Sequence, residues 1–286
     1  MNNERVLILG AYGQLGTALV AAFPGAQAAD RDTFDIGDPT SLATYDWSKI
    51  DVILNAAAYT NVDAAETTEG RRAAWLVNAS AVANLAKIAT EHNITLVHVS
   101  TEYVFDGTQT PHTETEQFSP LSSYGASKAA GDLAAASTPK HYILRTSWVI
   151  GKGKNFVATM LGVAAKNISP KVVHDQTGRL TFTATLVEAM QHLLKNNAPF
   201  GTYNVSNQGD IVSWADVTRE IFTTIGRTDL TVTNISTDEY FKDKPEAARR
   251  PLGSAMDLSK IESTGLKLRD WRTDLAAYIK SQTDKE

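Results

Sequence analysis

Tyr124 and Lys128, in the string Tyr124-Gly125-Ala126-Ser127-Lys128, bring a phenol and an ammonium to one face of a helix. Reducing a ketone takes a hydride and a proton for the alkoxide it creates. A phenol with an ordinary pKa of about 10 is too weak an acid for that duty at neutral pH. An ammonium about 4 Å away would contribute on the order of 4 kcal/mol at an effective dielectric near 20, enough to lower the phenol by roughly three pKa units before burial opposes it. The hydroxyl of Thr101 could hydrogen-bond the substrate carbonyl and the oxyanion that develops from it. Spacing alone does not single out this pair, because Tyr45/Lys49 and Tyr240/Lys244 repeat it. Position does. Only Tyr124 follows a buried strand, Thr95 to Val99, that ends in polar Ser100-Thr101, and it opens a helical segment rich in small residues, Leu121 to Ala136. The other two pairs read as solvated surface residues.

A second constellation supplies the hydride donor's site. Gly10-Ala11-Tyr12-Gly13-Gln14-Leu15-Gly16 lies at the first strand-to-helix turn. Gly10 suits a tight turn, Gly13 lets backbone N–H groups approach a diphosphate, and Gly16 allows close helix–strand packing, with the helix N-terminus adding partial positive charge. The three-residue spacing of these glycines suits short-chain dehydrogenases. After the second strand, Asp30 could bind the ribose hydroxyls of NAD and Arg31 could neutralise the extra phosphate of NADP, which leaves cofactor preference open; Asp32 reads equally well as a solvated charge.

These groups need a scaffold that carries them to one edge. Short apolar runs at Val6–Leu9, Gln27–Ala29, Val52–Leu54, Thr95–Val99 and Tyr142–Leu144 alternate with helical stretches at Leu15–Phe23 and Gly70–Glu91. That alternation predicts an α/β fold, a Rossmann-type doubly wound parallel sheet whose ligands sit at the carboxyl ends of the strands. The second half predicts helices near Phe156–Lys166, Thr183–Lys195, Trp214–Ile225 and Asp270–Lys280, with short strands such as Val172–Val173 and Tyr203–Val205. Residues 1–146 are expected to form the dinucleotide-binding domain, with part of 180–200 returning to it, and 147–286 a mainly substrate-binding C-terminal lobe. The polar stretch Ser281–Glu286 is expected to end the ordered chain.

Composition removes other chemistries. The 286 residues include no cysteine, which excludes disulfides, thiol nucleophiles and iron–sulfur ligation. The six histidines form no helical pair of zinc-ligand spacing, no acidic cluster maps onto a metal site, and no metal is expected. A net charge of −5 argues against nucleic acid as a partner. The N-terminus has no signal-peptide organisation and no apolar run reaches membrane-spanning length, so a cytoplasmic protein without a membrane partner is expected.

Seven segments, taken together, resemble one family: GAYGQLG at Gly10–Gly16, NAAAYTNVDAAE at Asn55–Glu66, STEYVFDG at Ser100–Gly107, Tyr124–Lys128, RTSWVIG at Arg145–Gly151, DQTGRLT at Asp175–Thr181 and RRPLGSAMD at Arg249–Asp257. The chain resembles the dTDP-4-dehydrorhamnose reductases of the extended short-chain dehydrogenase/reductase class nearly end to end. That resemblance implies reduction of the C4 ketone of dTDP-4-dehydro-L-rhamnose to dTDP-L-rhamnose, in the making of cell-wall polysaccharide, by NADPH, with NADH as the alternative. It implies a catalytic set of Thr101, Tyr124 and Lys128. It implies a cofactor site of Gly10, Gly13, Gln14, Leu15, Gly16, Arg31, Asp35, Ile36, Ala56, Ala57, Ala58, Thr60 and Asn78, which Tyr124 and Lys128 join. Tyr103, Trp148, Arg249 and Arg250 are implied on the sugar-nucleotide side. The nucleotide sugar is the implied partner, with a homodimer or an association with the preceding epimerase as further ones. The chain departs from the family's pattern at Glu102, where aspartate is usual. Two other functions fit parts of the pattern: a reductase or epimerase acting on another nucleotide-activated 4-keto sugar, and a non-catalytic regulatory homologue that binds a dinucleotide without turnover.

Overall fold

The computed structural model describes residues 2–283. Six parallel strands form the central sheet: β1 (Val6–Leu9), β2 (Gln27–Ala29), β3 (Val52–Asn55), β4 (Thr95–Thr101), β5 (His141–Thr146) and β6 (Gly201–Asn204), in the order β6-β5-β4-β3-β1-β2. All four residues of β1 and of β3 are buried, because helices cover both faces of the sheet and leave no solvated side for polar alternation. On one face Val6, Ile8 and Leu54 pack against Leu19 of α1 (Gln14–Ala22) and Leu186 and Met190 of α6 (Thr183–Lys195). On the other, Leu7, Leu9 and Ile53 meet Val82 and Leu85 of α3 (Ala81–Glu91). The chain runs outward from β1 to β2 and then returns to place β3 on β1's other side. At that reversal the following loops diverge and open a crevice at the strands' carboxyl ends.

The long helix expected over 70–91 is interrupted. α2 (Thr68–Trp75) passes through a π-turn, Leu76–Ser80, before α3 begins. The wider turn centres on Asn78, whose carbonyl would meet a Cβ on Gly131 at 2.1 Å, so a glycine there lets α4 (Ser123–Ala136) approach closely.

The remaining residues build a smaller core. Ile150, Leu180 and Phe182 are buried with Val157 of α5 (Phe156–Ala165), Val217 and Ile221 of α7 (Trp214–Thr224), and Trp271 and Leu275 of α8 (Trp271–Thr283). Short strand pairs stitch this region: 149–150 with 181–182, 171–173 with 233–235, and 177–178 with 212–213. The strand expected at 203–205 belongs instead to the main sheet as β6, paired with β5 from Gly201↔Tyr142 to Asn204↔Arg145. The helix that ends the described chain reaches Thr283, further than the polar stretch suggested, and 284–286 lie outside the described residues. Among the described residues no helix is long and apolar enough to cross a membrane.

Candidate active site

A cleft of about 820 Å³ runs along the carboxyl ends of β1, β3, β4 and β5. At one end lies the glycine loop. Gly10 has φ +73°, and a Cβ there would stand 2.7 Å from the Ala57 nitrogen. A Cβ on Gly16 would stand 2.0 Å from the Gly10 carbonyl oxygen, so Gly16 serves the packing of α1 and lies behind the cleft. α1 starts after Gly13 with no side-chain cap, which leaves its first N–H groups directed toward the cleft. Gln14 fixes the loop to the smaller core by accepting the Gly151 N–H at 3.0 Å. This cradle, too tight for side chains and lined with amide donors, fits the diphosphate of a dinucleotide.

Next to the loop, Asp30 lines the cleft with one carboxylate oxygen engaged in its own turn: Oδ1 accepts the N–H groups of Asp32 and Thr33 and the Thr33 hydroxyl at 2.9–3.2 Å. The Arg31 side chain is 86% exposed and only 3.9 Å from an equally exposed Asp32, which leaves its guanidinium available to an anion at this end. Asp35 Oδ1 accepts the Gly37 N–H at 2.8 Å and shapes the turn on which Ile36 faces the cleft. Ala56, Ala57, Ala58 and Thr60 form the floor beyond β3. Asn78 stands one layer behind them. It accepts the Tyr59 N–H at 2.8 Å and donates to the Tyr59 carbonyl and the Ser127 hydroxyl, each at 3.0 Å, so it shapes the floor and does not line it.

At mid-cleft β4 delivers Thr101, and α4 delivers Tyr124 and Lys128 from a helix capped by Ser122. Gly125 permits this approach, since a Cβ there would lie 2.2 Å from the Tyr103 carbonyl oxygen. The Thr101 hydroxyl donates to Glu102 Oε2 at 2.8 Å and accepts the Tyr103 N–H at 3.2 Å. Tyr124 sits edge-on to Tyr103, ring centroids 5.5 Å apart. Burial, reinforced by Glu102 and Tyr103, raises the Tyr124 phenol above its ordinary pKa. This corrects the expected lowering by Lys128. The lysine is itself buried, with its pKa lowered to about 8 by desolvation, and its Nζ donates to the Val99 carbonyl at 2.7 Å. Burial also raises the Glu102 carboxyl to about 7.

Aromatic side chains close the far wall. Trp148, at φ +47°, stacks on Trp214 with ring centroids 3.6 Å apart and planes 16° apart. Gln176, Pro251 and Ser254 complete it. Tyr103 lines the cleft, but the two arginines do not: Arg249 is exposed, and Arg250 holds Asp63 through both carboxylate oxygens at 2.6 and 2.9 Å. Trp214 carries no local sequence signal, and Gln176 and Ser254, although they lie within two of the resembling segments, gain a place at the site only when 148, 176, 214 and 254 converge. Of the two other Tyr/Lys pairs, Tyr240 and Lys244 form an exposed cation–π contact at 3.9 Å. Tyr45 is half-buried, with its ring 5.0 Å from Phe34 and 4.6 Å from Trp47, so the surface reading holds for its Lys49 alone.

A doubly wound sheet with a dinucleotide cradle that opens onto a Thr/Tyr/Lys cluster defines a nicotinamide-dependent reductase of the short-chain class. Within that class, residues 4–283 match the RmlD substrate binding domain, and the chain belongs to that family, NAD(P)-dependent reductases of 4-keto nucleotide sugars. It is 36% identical to the dTDP-4-dehydrorhamnose reductase of Burkholderia thailandensis, over 94% of this chain and 95% of the relative. It is 34% identical to the spore coat polysaccharide biosynthesis protein SpsK of Bacillus subtilis, over 98% of each. Among solved structures it is similar to the dTDP-4-dehydrorhamnose reductase of Bacillus anthracis in complex with NADP, with a TM-score of 0.88, 32% identity, and coverage of 98% of this chain and 99% of that one.

Proposed function

We propose that this protein reduces the C4 ketone of dTDP-4-dehydro-L-rhamnose with NADPH. The observation that carries the proposal is the continuity of one cleft from the glycine cradle, past Thr101, Tyr124 and Lys128, to the Trp148/Trp214 stack. Residues 1–146, with α6 and β6, would hold the dinucleotide, and most of 147–286 the sugar nucleotide. The reduced nicotinamide, when bound, supplies the hydride. Gly10, Gly13 and the start of α1 hold the diphosphate, Ala56, Ala57 and Ala58 support the groove, and Arg31 meets the extra phosphate. The exposed Arg31 guanidinium favours NADPH over NADH. Tyr124, which keeps its proton in the buried site, gives it to the alkoxide oxygen at C4. Lys128 stabilises the phenolate left behind. Thr101 turns its hydroxyl from Glu102 to the substrate oxygen. Tyr103, Trp148 and Trp214 present flat apolar surface to the sugar nucleotide.

The test follows absorbance at 340 nm with purified protein, NADPH or NADH, and the 4-keto sugar nucleotide. Stoichiometric cofactor oxidation is expected, faster with NADPH, and Tyr124→Phe should slow it about 10²- to 10⁴-fold with dinucleotide affinity retained. No oxidation by a protein that binds the dinucleotide would end the rhamnose assignment and favour another 4-keto sugar or a regulatory role.

A further inference from the structure

Beneath Lys128 lie two buried polar residues with no part in the mechanism above, Asn55 at the end of β3 and His98 in β4, 1% and 0% exposed. Their hydrogen bonds leave one consistent proton arrangement. The Ala57 N–H donates to Asn55 Oδ1 at 3.2 Å, which turns the amide nitrogen toward His98 Nδ1 at 3.1 Å. An amide nitrogen only donates, so Nδ1 accepts and the neutral ring carries its proton on Nε2. Complete burial and the neighbouring lysine hold the imidazole pKa well below its ordinary value, which keeps the ring neutral. The Nε2–H then faces Lys128 Nζ at 3.4 Å. Toward an ammonium that N–H is repulsive; toward the lone pair of an amine it is a donor. The opposing influence is Asp132, one helical turn along α4, which favours the ammonium. Asp132 is itself paired with Arg145 at 2.9 Å, which draws off part of its field. The groups around Lys128 are therefore His98 and the Val99 carbonyl from β4, Asn55 behind His98 from β3, Asp132 and Tyr124 on its own helix, and Arg145 of β5 beyond Asp132.

We infer that Asn55 and His98 are positioning residues for Lys128: the tautomer they enforce aims a donor at Nζ, turns the lysine's own N–H bonds toward Val99 and the cleft, and weakens its hold on its proton. The inference rests on the proposed role of Lys128 and deepens it. It makes the alkaline limit of turnover a property of β3 and β4 as well as of the helix that carries the lysine. The consequence is a reaction that slows as pH rises through about 8, where Lys128 gives up its charge.

Two measurements test it. In the wild-type protein, ¹⁵N labelling of the six histidines reads ring tautomers directly by NMR. His98 protonated on Nε2 is expected, and protonation on Nδ1 would overturn the inference whether or not the substrate assignment is right. In the second, kcat is followed against pH for His98→Phe and His98→Gln beside Lys128→Met. Phenylalanine removes the donor and glutamine can turn its oxygen to the lysine, so each should move the alkaline limb upward by about one pH unit, raising activity at pH 9.5 relative to pH 7 at least about fivefold over wild type. A His98 variant that folds, binds the dinucleotide and keeps the wild-type limb refutes the inference while Lys128→Met remains inactive. If Lys128→Met itself retains full turnover, it is the role of Lys128 that fails.

Discussion

Along the glycine loop and the alanine floor the cleft presents backbone, while the wall built from Tyr103, Trp148, Gln176, Trp214 and Ser254 presents side chains. On the first wall recognition depends on what is missing. Cβ atoms at Gly10 or Gly16 would collide with Ala57 or Gly10 at 2.7 and 2.0 Å. On the second it depends on what has been brought in from distant parts of the chain. A backbone wall can be shared by any protein that binds the same diphosphate, and a side-chain wall can be altered residue by residue to suit another sugar.

The most disruptive way to break this contrast is Gly10→Val. The branched side chain meets both a forbidden φ and the Ala57 backbone, so dinucleotide binding should weaken by at least about a hundredfold in titration calorimetry. If affinity survives, the backbone wall is not the cofactor's seat. Glu102→Gln comes next and probes the cost of burying a carboxyl beside the other wall. Burial raises this carboxyl from 4.5 to about 7, so the folded protein holds the proton over that interval more tightly than the unfolded chain does. The group's stability contribution is complete below about pH 4.5 and is lost as pH rises through 7. Glutamine escapes that loss, so the variant should exceed wild type by roughly 3 kcal/mol at pH 8 and match it near pH 4.5 in urea unfolding. Equal gains at both pH values would show that the carboxyl is not desolvated.

Two smaller effects sharpen the contrast. Arg31 adds an exposed side chain to the backbone wall, and Arg31→Ala should raise the Kd for NADPH about tenfold while leaving NADH unchanged. An equal loss for both cofactors would place the guanidinium away from the extra phosphate. Trp214→Phe keeps an aromatic ring in the stack but reduces its overlap with Trp148. It should raise the KM for the sugar nucleotide about threefold to tenfold, with dinucleotide affinity untouched. A matching loss of dinucleotide affinity would merge the two walls into one.

The same contrast explains what could be read from the sequence. Local patterns encode local outcomes: Gly10–Gly16 reads as a strand-to-helix turn, Val6–Leu9 as a strand buried on both faces, and the Tyr124/Lys128 spacing as one helix face. Each agrees with its observed element. Long-range closure was not legible. Gln14 reaches Gly151 across 137 positions, and Trp214, at the start of α7, meets Trp148 from the link between β5 and the strand at 149–150. The adjacent arginines show the limit most clearly. Arg249 and Arg250 share a composition and a neighbourhood, yet one is exposed and the other is clamped to Asp63, a distinction set by a residue 187 positions away. The Tyr124 phenol erred in the other direction, because spacing reveals a neighbouring charge but says nothing of the desolvation that outweighs it.

The sixth strand has a consequence for how the chain is made. β5 ends at Thr146, but its outer neighbour, β6, begins only at Gly201, after 54 intervening residues that include α5 and one strand pair of the smaller core, 149–150 with 181–182. A ribosome extends a chain at about 5–20 residues per second, so for several seconds the nascent sheet carries β5 as a bare edge. The segment that protects that edge is also the one that joins the two parts of the molecule. Completing the sheet and assembling the cleft are thus late events of the same stretch of synthesis, and the catalytic helix is finished well before the wall it faces.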